Sequence, residues 1–140
     1  MSVTVDNRGE GELTVNTKAR ALTVYTHVIL SNEKWFPITQ ESYKKRLLDC
    51  VIEIQELCWE ANNIKVGKSM SRYEMRMNMQ DMAASRCNRM MMLIETAKPL
   101  FHLTSKRVRF WLGMTKNLRD LIRGWHERDA ERLRPTEPEA

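Results

Sequence analysis

"YKKRLLDCVIEIQELCWEANNI", residues 43–64, places Tyr43, Leu47, Cys50, Ile54, Leu57, Ala61 and Ile64 at alternating spacings of four and three. A helix turns roughly 100° per residue, so this alternation keeps every one of those side chains on a single stripe. A strand would need a period of two, and neither glycine nor proline interrupts the run. Thr39 is placed to cap the start of this helix. A helix with one apolar stripe is marginal in water by itself and must bury that stripe against other elements.

Those elements stand on either side. "WFP" at 35–37, "VGKS" at 66–69 and "KPLFHL" at 98–103 are the internal breaks, and they divide the chain into four segments joined by short connections. The first helix is expected over Lys18 to Asn32, with Leu22, Tyr25, Val28 and Ile29 on its apolar face. The third starts at the capping box "SRYE", Ser71 to Glu74, runs through Met75, Met79, Met82, Ala83, Met90, Leu93 and Ala97, and stops before Pro99. The fourth carries Val108, Trp111, Thr115, Leu118, Ile122 and Trp125. Short links make successive helices antiparallel, so the sequence predicts an all-α fold, an up-down-up-down four-helix bundle over 18–132. Residues 1–17 are expected to be a disordered or extended leader, and 133–140 an acidic, proline-containing tail.

At 140 residues the chain suits one domain. No apolar run approaches the roughly 20 residues of a membrane span, which predicts a soluble protein. Cys50, Cys58 and Cys87 follow no disulfide or zinc spacing and no signal peptide precedes them, so a reducing cytoplasm is the expected location. His27, His102 and His126 are isolated, no Glu-x-x-His pair is present, and there is no glycine-rich phosphate loop. Neither a catalytic centre, nor a metal site, nor a cofactor is expected.

Lysine and arginine outnumber the acids 23 to 18, an excess that matters only where cations gather. They gather on the fourth segment, "SKRVRFWLGMTKNLRDLIRGW" at 105–125. Projected at roughly 100° per residue, Lys106, Arg109, Gly113, Lys116, Asp120 and Arg123 form a stripe nearly opposite the core seam. The bland reading is a solvated helix face, and the sharper one is a surface for nucleic-acid phosphates. Arg72, Arg76 and Arg89 on the third helix are a second candidate group for the same role. Gly113 in mid-helix costs about 1 kcal/mol relative to alanine and permits close backbone approach.

Phe110, Met114 and Leu121, beside the seam of the fourth helix, widen its apolar arc beyond the roughly 100° a bundle helix uses. The surplus either covers the first helix or forms an oligomer interface, and the interface is the role expected of these three residues. Arg86 projects into the methionine face of the third helix and needs a partner there. Reflection of the antiparallel pair offers Asp49 and Glu53 on the second helix, which predicts a structural ion pair.

Phe36–Pro37, "KRLLDCVIEIQELCWEAN" at 45–62, "RMNMQDMAASRCNRMMMLIETAKPLFHL" at 76–103 and the 105–125 segment together resemble the accessory variability determinant (Avd) proteins of diversity-generating retroelements. That family groups with the ribosomal-RNA intervening-sequence proteins. The resemblance spans about residues 18 to 128 and rests most on Arg46, Glu60-Ala61-Asn62, Ala83 and Gly124-Trp125. The methionine-rich third helix and the leader depart from it. It implies a homopentameric barrel of bundles, basic on its surface, that binds a retroelement reverse transcriptase and its template RNA or cDNA during mutagenic retrohoming. The alternative is a structural or RNA-binding bundle of the intervening-sequence group with no reverse-transcriptase partner.

Overall fold

The computed structural model describes residues 3–32, 34, 36–37 and 40–136, with side chains from Thr14 onward. Four helices follow in order: α1 Val3–Leu30, α2 Glu41–Asn63, α3 Met70–Phe101 and α4 Ser105–Arg132. Among the described residues there is no strand. Each helix packs against its two neighbours in chain order, and α4 closes the ring by packing against α1. The cross-helix bonds show the directions. From Tyr73 to Arg76 on α3 the partners on α4 descend from Ala130 to Asp129, and Arg119 bonds Asn88 further along. Between α2 and α3, Tyr43 donates to the Leu93 carbonyl while Cys50 meets Arg86. α2, α3 and α4 therefore run antiparallel in succession, as the expected bundle requires of them.

The α2 and α4 seams are as the spacing predicts. Leu47, Cys50, Ile54 and Ala61 are buried on α2, with Val51 and Cys58 forming a second row beside them. Tyr43, Leu57 and Ile64 are half-buried. On α4 the seam of Val108, Trp111, Thr115, Leu118, Ile122 and Trp125 is buried throughout and continues to Asp129. Burial of a large apolar side chain contributes about 1.5–3 kcal/mol, so these two seams alone are a large fraction of the core.

α1 and α3 differ from expectation. α1 begins at Val3 rather than Lys18, inside the stretch expected to be a leader. Its buried seam is Val15, Ala19, Leu22, Thr26 and Ile29, again four and three apart, with Leu30 buried beside it, while Val28 is 63% exposed. Thr26 conceals this seam from hydropathy. It is tolerated at 0% exposure because its hydroxyl accepts a 3.0 Å bond from the Trp111 indole Nε1–H.

α3 is capped by Ser69, whose Oγ accepts from the Arg72 amide, and not by Ser71. Pro99 does not end it. The ring removes one donor in the last turn, and the helix reaches Phe101 before His102, at φ 55°, reverses the chain. The core seam of α3 is Tyr73, Arg76, Gln80, Ala83, Cys87, Met90, Ile94, Ala97 and Phe101, so of the expected methionines only Met90 is central. Met79 packs at the core's edge, Met82 is half-buried, and Met75 is 51% exposed.

Phe36 plugs one end of the bundle. It is fully buried, with its ring centroid 4.4 Å from Phe101 and 6.5 Å from Trp111. The Thr39 cap falls outside the described residues, and α2 starts after Gln40, whose side chain makes no cap bond. The tail expected over 133–140 lies outside them from residue 137 onward.

Candidate nucleic-acid interface

α4 is amphipathic: one face is the buried seam, and the residues of the stripe on the opposite face are exposed. Lys106, Arg109, Lys116 and Arg123 are all exposed there. A Cβ built on Gly113 would meet nothing within 4 Å, so the glycine answers no packing need within the subunit. The acid of the stripe is engaged locally. Asp120 pairs with Lys116 at 3.5 Å and with Arg119 at 3.3 Å. Exposed pairs of this kind hold long side chains only weakly, which leaves Lys116 able to exchange partners. Arg119 is instead directed toward α3, where it donates to Asn88 Oδ1 at 2.9 Å.

The second group of cations does not form a surface. Arg76, expected among the nucleic-acid contacts, is buried. Its Nε donates to Asp129 Oδ2 at 2.8 Å, and its Nη1 donates to the carbonyls of Ala61 and Ile64 at the end of α2. Gln80 donates to the same Asp129 oxygen at 2.7 Å, and the guanidinium lies 5.4 Å from the Trp125 ring centroid. A guanidinium so enclosed binds the bundle together rather than an external phosphate. Arg72 and Arg89 are exposed, but they diverge by roughly 100° around α3, and Arg72 is engaged with the Lys65 carbonyl.

Arg86 pairs with Glu53 at 2.9 Å, as reflection of the antiparallel pair predicts. Asp49 does not share in it. It lies one turn further out and bonds Lys45 at 2.9 Å on the exposed side of α2. The Arg86 side chain keeps 20% and Glu53 38% of its exposure, so the pair sits at the rim of the core.

Of the apolar surplus on α4, Met114 and Leu121 pack against the core inside the subunit. Phe110 remains 58% exposed. Its ring meets Tyr25 of α1 edge-on, with centroids 5.1 Å apart and planes at 68°. The two rings belong to an open groove of about 540 Å³, otherwise lined by Thr104, Lys106, Arg107 and Arg109. Among the described residues no carboxylate lines it. Of these residues the sequence picks out Lys106, Arg109 and Phe110 singly. Arg107 joins them from the same turn of α4, and Tyr25 comes to the same place because the packing of α1 on α4 sets residue 25 beside residue 110.

Burial raises the three thiols. Cys50 is pushed up to about 11 and Cys58 to about 12, chiefly by loss of water, and Cys87 is pushed further up by the same cause. They are protonated and unreactive at neutral pH. Among the described residues no cluster of histidine, cysteine and carboxylate side chains is arranged to hold a metal ion, and no helix is long and apolar enough to cross a membrane. Compared with known protein families, curated proteins and solved structures, the chain matches none of them.

Proposed function

We propose that this bundle is a non-catalytic accessory protein that holds nucleic-acid phosphates on the outer face of α4. One observation carries the reading: Lys106, Arg109, Lys116 and Arg123 are all exposed on the side of α4 that faces away from its buried seam. Cations held at fixed spacing on a rigid helix gain affinity by releasing counterions from a polyanion, without reading its sequence. In the fuller form implied by the resemblance to Avd proteins, the polyanion is the template RNA or cDNA of a retroelement. The bundle then works beside the reverse transcriptase during mutagenic cDNA synthesis.

Assembly into a ring would display the same cations several times and sum weak contacts into useful affinity. Val24 and Val28 on α1, 55% and 63% exposed, offer apolar surface for such an assembly. The test replaces Lys106, Arg109, Lys116 and Arg123 together by glutamine. RNA and DNA binding should weaken and lose most of its salt dependence, while the melting temperature stays nearly constant. Unchanged affinity and salt slope would reduce the stripe to a solvated face.

A further inference from the structure

At the first turns of α4 the exposed cations stand beside two aromatic rings. Lys106, Arg107 and Arg109 line the groove between α1 and α4, and Phe110 and Tyr25 supply its apolar wall. The edge-on contact with Tyr25 holds the Phe110 ring in place while 58% of the residue stays open to solvent. A large ring fixed in an exposed position serves no core, and among the described residues the groove around it is lined by cations and by no carboxylate.

We propose that this groove takes a single-stranded nucleic acid, with an unpaired base stacked on Phe110 and the adjoining phosphates on the exposed Lys106 and Arg109. The inference rests on the reading of α4 as a phosphate-binding face and adds the class of strand it selects. A base inside a duplex has both faces covered by its neighbours, so only an unpaired strand can offer one to a ring. Stacking of this kind tolerates any base. Lys106 and Arg109 fall within about one helical turn, roughly 5.4 Å of rise, so the groove engages one or two nucleotides. The strand continues along α4 over the exposed Lys116 and Arg123.

The experiment measures fluorescence anisotropy of the full chain with a labelled unstructured oligouridine and with an RNA duplex of equal length. The wild-type protein should prefer the single strand. Phe110→Ala should weaken that binding on the order of 10-fold, leaving duplex binding and the salt slope as they were, and Phe110→Trp should keep the affinity and show quenched indole fluorescence on binding. Circular dichroism checks that the variants remain helical, which the exposure of Phe110 favours. Equal binding of both probes with a silent Phe110→Ala overturns the inference but leaves the phosphate-binding reading standing. Binding of neither probe at low salt overturns both. A wild-type oligomer that Phe110→Ala dissociates, seen by light scattering, shows a second copy of the chain seated on the ring and also overturns the inference.

Discussion

Arg76 on α3 and Asp129 on α4 form a 2.8 Å ion pair with 6% and 0% of their side chains exposed. One guanidinium thereby joins three helices, because it also satisfies the carbonyls of Ala61 and Ile64 at the end of α2. Asp129→Ala leaves a buried cation without its counter-charge, and should cost about 3–5 kcal/mol in urea unfolding. Arg76→Met combined with Asp129→Leu should recover much of that loss, since neither charge is then stranded. A double variant no more stable than the single would show that the helix-end carbonyls, and not the charges, dominate.

At the rim of the core the same logic gives smaller numbers. Glu53→Leu should destabilise by about 1 kcal/mol, discounted because water reaches both members of its pair with Arg86. Arg86→Met should be tolerated better, as it leaves only an acid that can turn outward. Asp49→Asn should shift the melting temperature hardly at all, its bond being to Lys45 on the exposed face. Equal effects at Asp49 and Glu53 would contradict the pairing.

Salt dependence gives the stripe a magnitude. For a single strand the logarithm of affinity falls with the logarithm of salt by about 0.7 for each phosphate neutralised. Replacing Lys106, Arg109, Lys116 and Arg123 one at a time should reduce the slope in steps, with the smallest step at Lys116, which must first leave Asp120. Equal steps at all positions would mean the Lys116 pair does not persist in solution.

The buried thiols set an alkaline limit. Their folded values lie above the ordinary thiol value of 9.0, so the folded state holds protons that the unfolded chain releases. The resulting stability is complete below about pH 9 and is lost as pH climbs toward 11 and 12. Thermal melts should fall across that window, and Cys58→Ala should lessen the fall. Iodoacetamide should label no cysteine at pH 7 until urea unfolds the chain.

Assembly has its own probe. Val28→Lys places a charge on the outer face of α1 and should shift light scattering toward a smaller species, with helicity retained. A wild-type chain that is already monomeric at micromolar concentration would remove the assembly.

Much of this bundle is legible in the sequence, and unevenly so for a physical reason. α2 and α4 show themselves because their seams are apolar at nearly every step. The seams of α1 and α3 pass through Thr26, Arg76 and Gln80, which hydropathy assigns to water and which tertiary partners allow inside. That is why the exposed Met75 and Val28 stand out as core candidates in the sequence while Gln80 does not. The cationic stripe is local to one helix, so projection suffices to find it. The groove joins residues 25 and 110, and no local pattern brings those together.

The bond between the Trp111 indole and Thr26 Oγ1 spans 85 residues of chain, whereas α3 and α4 are joined by residues 102–104 alone. Closing a short loop costs less entropy than closing a long one, and contacts of high sequence separation slow folding. The α3–α4 hairpin is therefore the natural early structure, and docking of α1 onto α4 the late one. Removal of the Thr26 hydroxyl should then leave the folding rate almost unchanged and appear in the unfolding rate, which makes this bond the latch that decides how long the closed bundle lasts.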